Sequence, residues 1–235
     1  MEFAGKQITV FGLHRSGVAI AKLLDDLGAR VLVTDPKPAD ELRADVDALK
    51  DRAIDFILGG HEHRCIEKAE WIVLSPGVPL DIPILLEARA MGIPIVGELE
   101  VAASLCPAPI VAITGTKGKS TTTTLTALIL QGQRLTGRSG NVRKVCISRN
   151  IGVPLSSEVQ KLTTDDLVVV EVSSFQLETT FTFRPAVSVV LNLSRDHLDR
   201  HRTMEAYRAA KLKSCTNQTP ADWIVLNAED AVVAG

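Results

Sequence analysis

Apolar and polar positions along the chain alternate between two periods. Short apolar runs rich in β-branched residues, the mark of strands buried on both faces, recur at residues 7–11, 30–34, 55–58, 71–74 and 94–96. Between the first two, residues 18–27 follow a helical period and stop at Gly28, a residue suited to the left-handed turn that ends helices. Strand, helix and strand in about 30 residues make a βαβ unit, the opening of a Rossmann-like parallel sheet. Residues 97–106 read as a short connecting helix, and Cys106-Pro-Ala-Pro109 reads as a boundary. Strand patterns resume at 110–113, 166–172, 186–191 and 223–226, with helices at 121–131 and 204–213. The stretch 132–149 has no clean periodicity; it is basic, contains no acid, and reads as a solvated loop. The predicted fold is therefore α/β in two parts, 1–97 and 109–235, joined through 98–108.

Composition narrows the partners. With 235 residues, 46% hydrophobic and 23% charged, the chain can bury a substantial core. A net charge of −2 provides no global basic field for nucleic acid. No apolar run reaches membrane-spanning length, and the N-terminus enters a strand pattern without a signal-peptide profile. Cys65, Cys106, Cys146 and Cys215 are dispersed and form no Cys-x-x-Cys pair, so free thiols in a reducing cytoplasm are expected.

The chemistry concentrates at Thr114-Gly-Thr-Lys-Gly-Lys-Ser-Thr121, between a predicted strand and a predicted helix marked by Leu125, Leu128 and Ile129. Strand, glycine loop, Lys-Ser and helix form the plan of a phosphate-binding loop. Its N–H groups and helix N-terminus face phosphates, Lys119 reaches the terminal ones, and Ser120 is placed for Mg²⁺. The match is not literal, since Ile113 holds the position of the usual first glycine. Glu171 closes a later strand and, taken with Ser120, reads as a second Mg²⁺ ligand. On the helix from Met204, Tyr207 and Lys211 share one face with Met204, so the Lys211 ammonium points among apolar residues, where it pairs, snorkels or is chemically altered. His197, His201 and Glu205 would instead make a metal face if one continuous helix carried them.

In the first half, Gly12-Leu-His-Arg-Ser-Gly17 follows the first strand, with His14 at the second glycine of the dinucleotide fingerprint. That glycine lets backbone approach a pyrophosphate, so NAD or FAD, and with them a dehydrogenase, are disfavoured. The segments 12–17, 34–37 and 75–77 follow strands and could line one crevice. Asp35 either takes a ribose or base group there or caps its own loop. His61 and His63 lie in a glycine loop without further ligands and read as surface residues.

The phosphate loop, Glu171-Val-Ser-Ser-Phe-Gln-Leu-Glu178, Asn192 with Asp196-His-Leu-Asp199, and Tyr207-Arg-Ala-Ala-Lys211 together resemble the Mur ligases of peptidoglycan synthesis. The resemblance runs through the whole chain, including Gly12 to Gly17 and Ser75-Pro-Gly77. It implies an ATP-dependent amide ligase that joins D-glutamate to UDP-N-acetylmuramoyl-L-alanine through an acyl phosphate. Thr114, Gly115, Thr116, Lys117, Gly118, Lys119, Ser120 and Thr121 would bind ATP. Ser120 and Glu171 would hold one Mg²⁺, and His197 with a carbamylated Lys211 would serve another. Arg15, Ser16, Asp35, Lys37, Ser75 and Gly77 would surround the UDP end, and Asn150 (or Asn141, if the register differs) would meet the muramoyl group together with His197. Lys119, Glu171, His197 and Lys211 form the implied catalytic set. A third domain carrying the D-glutamate site is expected in the family and is not read in this chain, which looks like the first two-thirds or less of such an enzyme, inactive alone. The alternative is a non-catalytic UDP-sugar- or nucleotide-binding module.

Overall fold

A computed structural model describes residues 2–133, 135–136, 143–148 and 152–234. It divides into two compact units, Met1–Ala102 and Ala103–Gly235. Each is built on its own five-stranded, all-parallel sheet.

In the first unit β1 (Gln7–Phe11), α1 (Arg15–Asp26), β2 (Arg30–Asp35), α2 (Arg43–Asp47), β3 (Ile54–Leu58), α3 (Arg64–Glu67), β4 (Trp71–Leu74), α4 (Pro83–Ala90) and β5 (Ile95–Gly97) follow in order. The strands lie in the order β3-β2-β1-β4-β5, so the chain reverses its direction of growth between β1 and β4. In such sheets ligands bind beyond the carboxyl ends of the strands at that reversal. The ends of β2, β1 and β4 are neighbours there, as the sequence anticipates for 12–17, 34–37 and 75–77. Helix α1 buries Ile20, Leu23 and Leu24, the i, i+3, i+4 stripe of an amphipathic helix. It begins at Arg15, one turn before the predicted start, because the polar residues of its first turn carry no apolar signal.

Helix α5 (Glu98–Leu105) leads to the second unit. There β6 (Ile110–Thr114), α6 (Lys119–Gly132), β7 (Val145–Ser148), β8 (Leu167–Glu171), α7 (Ser174–Glu178), β9 (Val187–Val190), α8 (Leu198–His201), α9 (Met204–Leu212), β10 (Trp223–Leu226) and α10 (Ala231–Ala234) follow. The order is β10-β9-β6-β8-β7. Every residue of β6 and β8 is buried, as their continuous apolar runs require. Strand β7 is a correction: it lies inside 132–149, the stretch read as a loop, and pairs with β8 from Val145 opposite Leu167. Four residues are too few to show a period among so many basic neighbours. Helix α6 also differs in detail. Leu125, Leu128 and Ile129 signalled it, yet all three are exposed, and Thr123 and Ala127 are buried instead. Small side chains let the helix lie close to the strands beneath it. All four side chains of edge strand β10 are exposed.

Candidate active site

The junction of β6 and α6 places the glycine loop expected to bind phosphate at the carboxyl end of a central strand. Gly118 precedes the helix at φ +81°, a left-handed conformation that only glycine adopts without strain. Asn192 holds the loop from the end of β9: its Oδ1 accepts from the N–H of Thr116 (3.1 Å) and of Lys117 (2.9 Å), and its Nδ2 donates to Lys117 O (3.0 Å). Thr116 Oγ1 lies 3.1 Å from the buried Tyr207 hydroxyl and accepts from Ser194 N–H at 3.0 Å. The loop is thus shaped by side chains from β9 and α9 before any ligand arrives.

A cavity of about 480 Å³ opens beside it, lined by Thr116 to Thr121, Glu171, Ser173, Ser174, Phe175, His197 and Lys211. The ammonium of Lys119 donates to Gly115 O and Thr116 O, each at 3.0 Å. Lys211 comes from α9 and donates to the same Gly115 carbonyl at 2.8 Å. Two lysine nitrogens therefore converge on one carbonyl oxygen. Lys211 is 1% exposed, and burial first, then the Lys119 charge, push its ammonium down to about 7, with Asp196 opposing. Its Nζ also lies 4.9 Å from the Tyr207 ring centre, a weak cation–π compensation. Glu171 ends β8, is 5% exposed and faces the cavity. Its carboxylate and the Ser120 hydroxyl are hard oxygen donors of the kind Mg²⁺ takes. Among the described residues no cluster of three His, Cys, Asp or Glu side chains gathers, so a cation here would need oxygens from its ligand.

His197 stands at the cavity's edge at φ +51°, with its ring 4.8 Å from that of Phe175. The proposed metal face of His197, His201 and Glu205 on one helix is not formed. Arg202, at φ +67°, breaks the chain between α8 and α9, and Thr203 caps α9 by accepting from Ala206 N–H. His201 turns instead to Ser174 Oγ (2.9 Å) and Glu178 (3.2 Å). Neither contact is visible in the sequence, where these residues are distant and α7 is too short to show a period.

In the first unit Asp35 is buried and committed to its own backbone. Its Oδ2 accepts from Leu13 N–H (2.7 Å) and its Oδ1 from Lys37 N–H (2.9 Å). The bond from Lys37 is the capping of the following loop that one of the two readings expects. Buried Ser75 donates to Gly12 O at 2.8 Å. Gly77, Arg15 and Lys37 are exposed, and Ser16 is partly buried in the first turn of α1. His61 is not a surface residue. It is half-buried against Phe11, its ring accepts or donates at Thr34 Oγ1 (2.9 Å), and burial lowers its pKa. His63 is exposed and lies 3.0 Å from Glu87. Asn141 and Asn150 lie outside the described residues. All four cysteines are free, and among the described residues no helix is long and apolar enough to cross a membrane.

Two parallel sheets, the second with a strand, glycine loop and helix junction beside a cavity, define the class. Residues 113–234 match the Mur ligase middle domain and residues 6–97 the MurD-like N-terminal domain of Mur ligases, and the chain belongs to that family. Among individual relatives, it is 47% identical over 234 residues to UDP-N-acetylmuramoylalanine--D-glutamate ligase of Geotalea uraniireducens (strain Rf4), covering 100% of this chain and 50% of the relative. The protein of the same name from Koribacter versatilis (strain Ellin345) is 44% identical over 230 residues, covering 98% and 49%. The chain thus spans about half the length of the curated relatives it matches. Solved structures support the fold. The MPL ligase from Neisseria meningitides superimposes with a TM-score of 0.63 at 19% identity over 97% of this chain and 73% of that one. The UDP-N-acetylmuramate-alanine ligase MurC from Thermotoga maritima does so at 0.52 and 20% identity, over 97% and 50%.

Proposed function

We propose that the chain carries the UDP-sugar-binding and ATP-binding parts of a cytoplasmic ligase that joins D-glutamate to UDP-N-acetylmuramoyl-L-alanine. The observation that carries this reading is the convergence of Lys119, Lys211, Glu171 and His197 on one cavity beside the phosphate loop. The names of the relatives supply the substrates.

The loop N–H groups and Lys119 bind the ATP phosphates, and Lys119 moves from its carbonyl partners to the terminal phosphate. The L-alanyl carboxylate attacks that phosphate, giving an acyl phosphate and ADP. The D-glutamate amine then displaces phosphate to form the amide. Ser120 and Glu171 would hold Mg²⁺, which when bound offsets the charge of the phosphoryl oxygens. Lys211, with a pKa of about 7, is partly the free amine at neutral pH. That form adds CO₂ and loses a proton to become a carbamate, an anion suited to sit with His197 at a second cation. In the first unit the ends of β1, β2 and β4 receive the UDP group, with Arg15, Ser16, Lys37 and Gly77 reachable from solvent.

Calorimetric titration of the chain with UDP-N-acetylmuramoyl-L-alanine and with NAD tests the first-unit assignment. The UDP-sugar is expected to bind and NAD not; tighter binding of NAD would contradict the reading.

A further inference from the structure

A chain of close polar contacts runs from Arg200 through Glu178 and His201 to Ser174 in the wall of the phosphate-loop cavity. Arg200 donates to Glu178 Oε2 through both Nε (2.9 Å) and Nη2 (2.6 Å), and its guanidinium carbon lies 4.7 Å from the centre of the Phe175 ring. This fixes the carboxylate and leaves Oε1 to face His201 Nδ1 at 3.2 Å. The other ring nitrogen, Nε2, lies 2.9 Å from Ser174 Oγ. His201 and Ser174 are 7% and 2% exposed.

The order of this relay fixes the protons. A carboxylate accepts only, so the proton of a neutral imidazole belongs on Nδ1. Burial lowers the pKa of His201, which favours the neutral ring. Nε2 is then a bare acceptor and takes the Ser174 hydroxyl proton, leaving the oxygen of Ser174 with its lone pairs. Ser174 lines the cavity together with Lys119, Ser120 and Glu171. Its neighbour Ser173 cannot play the same part. Ser173 Oγ donates to Gln176 Oε1 (3.1 Å) and accepts from Gln176 N–H (3.2 Å), closing the capping box of α7.

We propose that Ser174 is a ligand-contacting residue of the phosphate-loop cavity, held as an obligate hydrogen-bond acceptor by His201, which acts as a positioning residue set by Glu178. The inference rests on the nucleotide reading of that cavity. The group it receives is an O–H or N–H donor, carried either by water on the cation bound with ATP or by the acyl substrate. Serine without the relay would rotate its proton freely and present donor or acceptor alike.

The test uses the full chain, with Mn²⁺ and ATP in one titration and UDP-N-acetylmuramoyl-L-alanine in another. Ser174→Ala is expected to weaken one of the two about five- to tenfold, the worth of one hydrogen bond; which of them weakens identifies the donor. His201→Gln should weaken the same ligand, and in a Ser174→Ala background it should add no further loss. A purely structural histidine would weaken binding equally in both backgrounds, and that result would overturn the proposal. So would a Ser174→Ala variant within twofold of wild type for both ligands. Nitrogen-15 NMR of the histidine rings needs no His201 variant. It should show His201 protonated at Nδ1 and bare at Nε2, with only Nε2 shifting in Ser174→Ala; a proton on Nε2 contradicts the relay. Failure of the wild-type chain to bind either ligand overturns the nucleotide reading and this inference with it. Binding that is lost in Lys119→Ala but unaltered in Ser174→Ala overturns this inference alone.

Discussion

The two units each contain a strand, a glycine loop and a helix, and the two junctions are built in opposite ways. After β1 the loop is satisfied by its own chain. Asp35 takes the N–H groups of Leu13 and Lys37, Ser75 binds Gly12 O, and a Cβ on Gly17 would stand 1.9 Å from Gly12 O. After β6 the shape is equally fixed, by Asn192 and Thr116, but the charges are not balanced. The amino groups of Lys119 and Lys211 meet at Gly115 O, and the buried Glu171 faces a cavity. The first junction is close-packed backbone held by its own hydrogen bonds. The second brings the amino groups of Lys119 and Lys211 together beside an open cavity, where an anionic ligand would favour their charged forms.

That contrast can be broken at either junction. The largest effect is expected at Lys211. Its folded pKa of about 7 lies well below the unfolded value near 10.5, so above pH 7 the unfolded chain binds more protons than the folded one. Stability of the second unit should therefore rise between about pH 7 and 10.5, by on the order of a few kcal/mol. Urea unfolding of Lys211→Met should show this rise abolished. Next, Gly17→Ala should cost the first unit about 3 kcal/mol, because the added Cβ meets backbone that cannot rotate away. Its thermal midpoint should fall while ATP binding to the second unit persists. Lys119→Ala should weaken ATP about 100-fold, near 2.7 kcal/mol, with the fold retained, since among the described residues its hydrogen bonds go to two loop carbonyls. The smallest effect is at Ser75→Ala, which loses one buried hydrogen bond and about 1 kcal/mol of stability. Chemical denaturation measures it.

Much of this was legible in the chain because both sheets are parallel and their central strands β1, β6 and β8 are largely or wholly buried. Runs such as Ile-Val-Ala-Ile at 110–113 and Leu-Val-Val-Val at 167–170 have no other stable place. The strand–loop–helix junction at 114–119 and the place of Glu171 at the end of β8 were legible for the same reason. What escaped was short or set by packing between distant segments. Strand β7 and helix α7 are only four and five residues long. The partners of His201 depend on α8 ending at Arg202 and folding back onto α7, and nothing in the spacing of His197, His201 and Glu205 announces that break. Lys211 shows the intermediate case. Its place on the buried face of α9 follows from helical spacing, whereas its convergence with Lys119 depends on how α9 docks beside β6.

Amide hydrogen exchange of the chain, with and without Mg²⁺ and ATP, compares the two junctions in one experiment. If the second junction is the phosphate site, ATP slows exchange at residues 115–121 and leaves 13–17 unchanged. Protection at 13–17 with none at 115–121 would contradict the division of labour between the two loops.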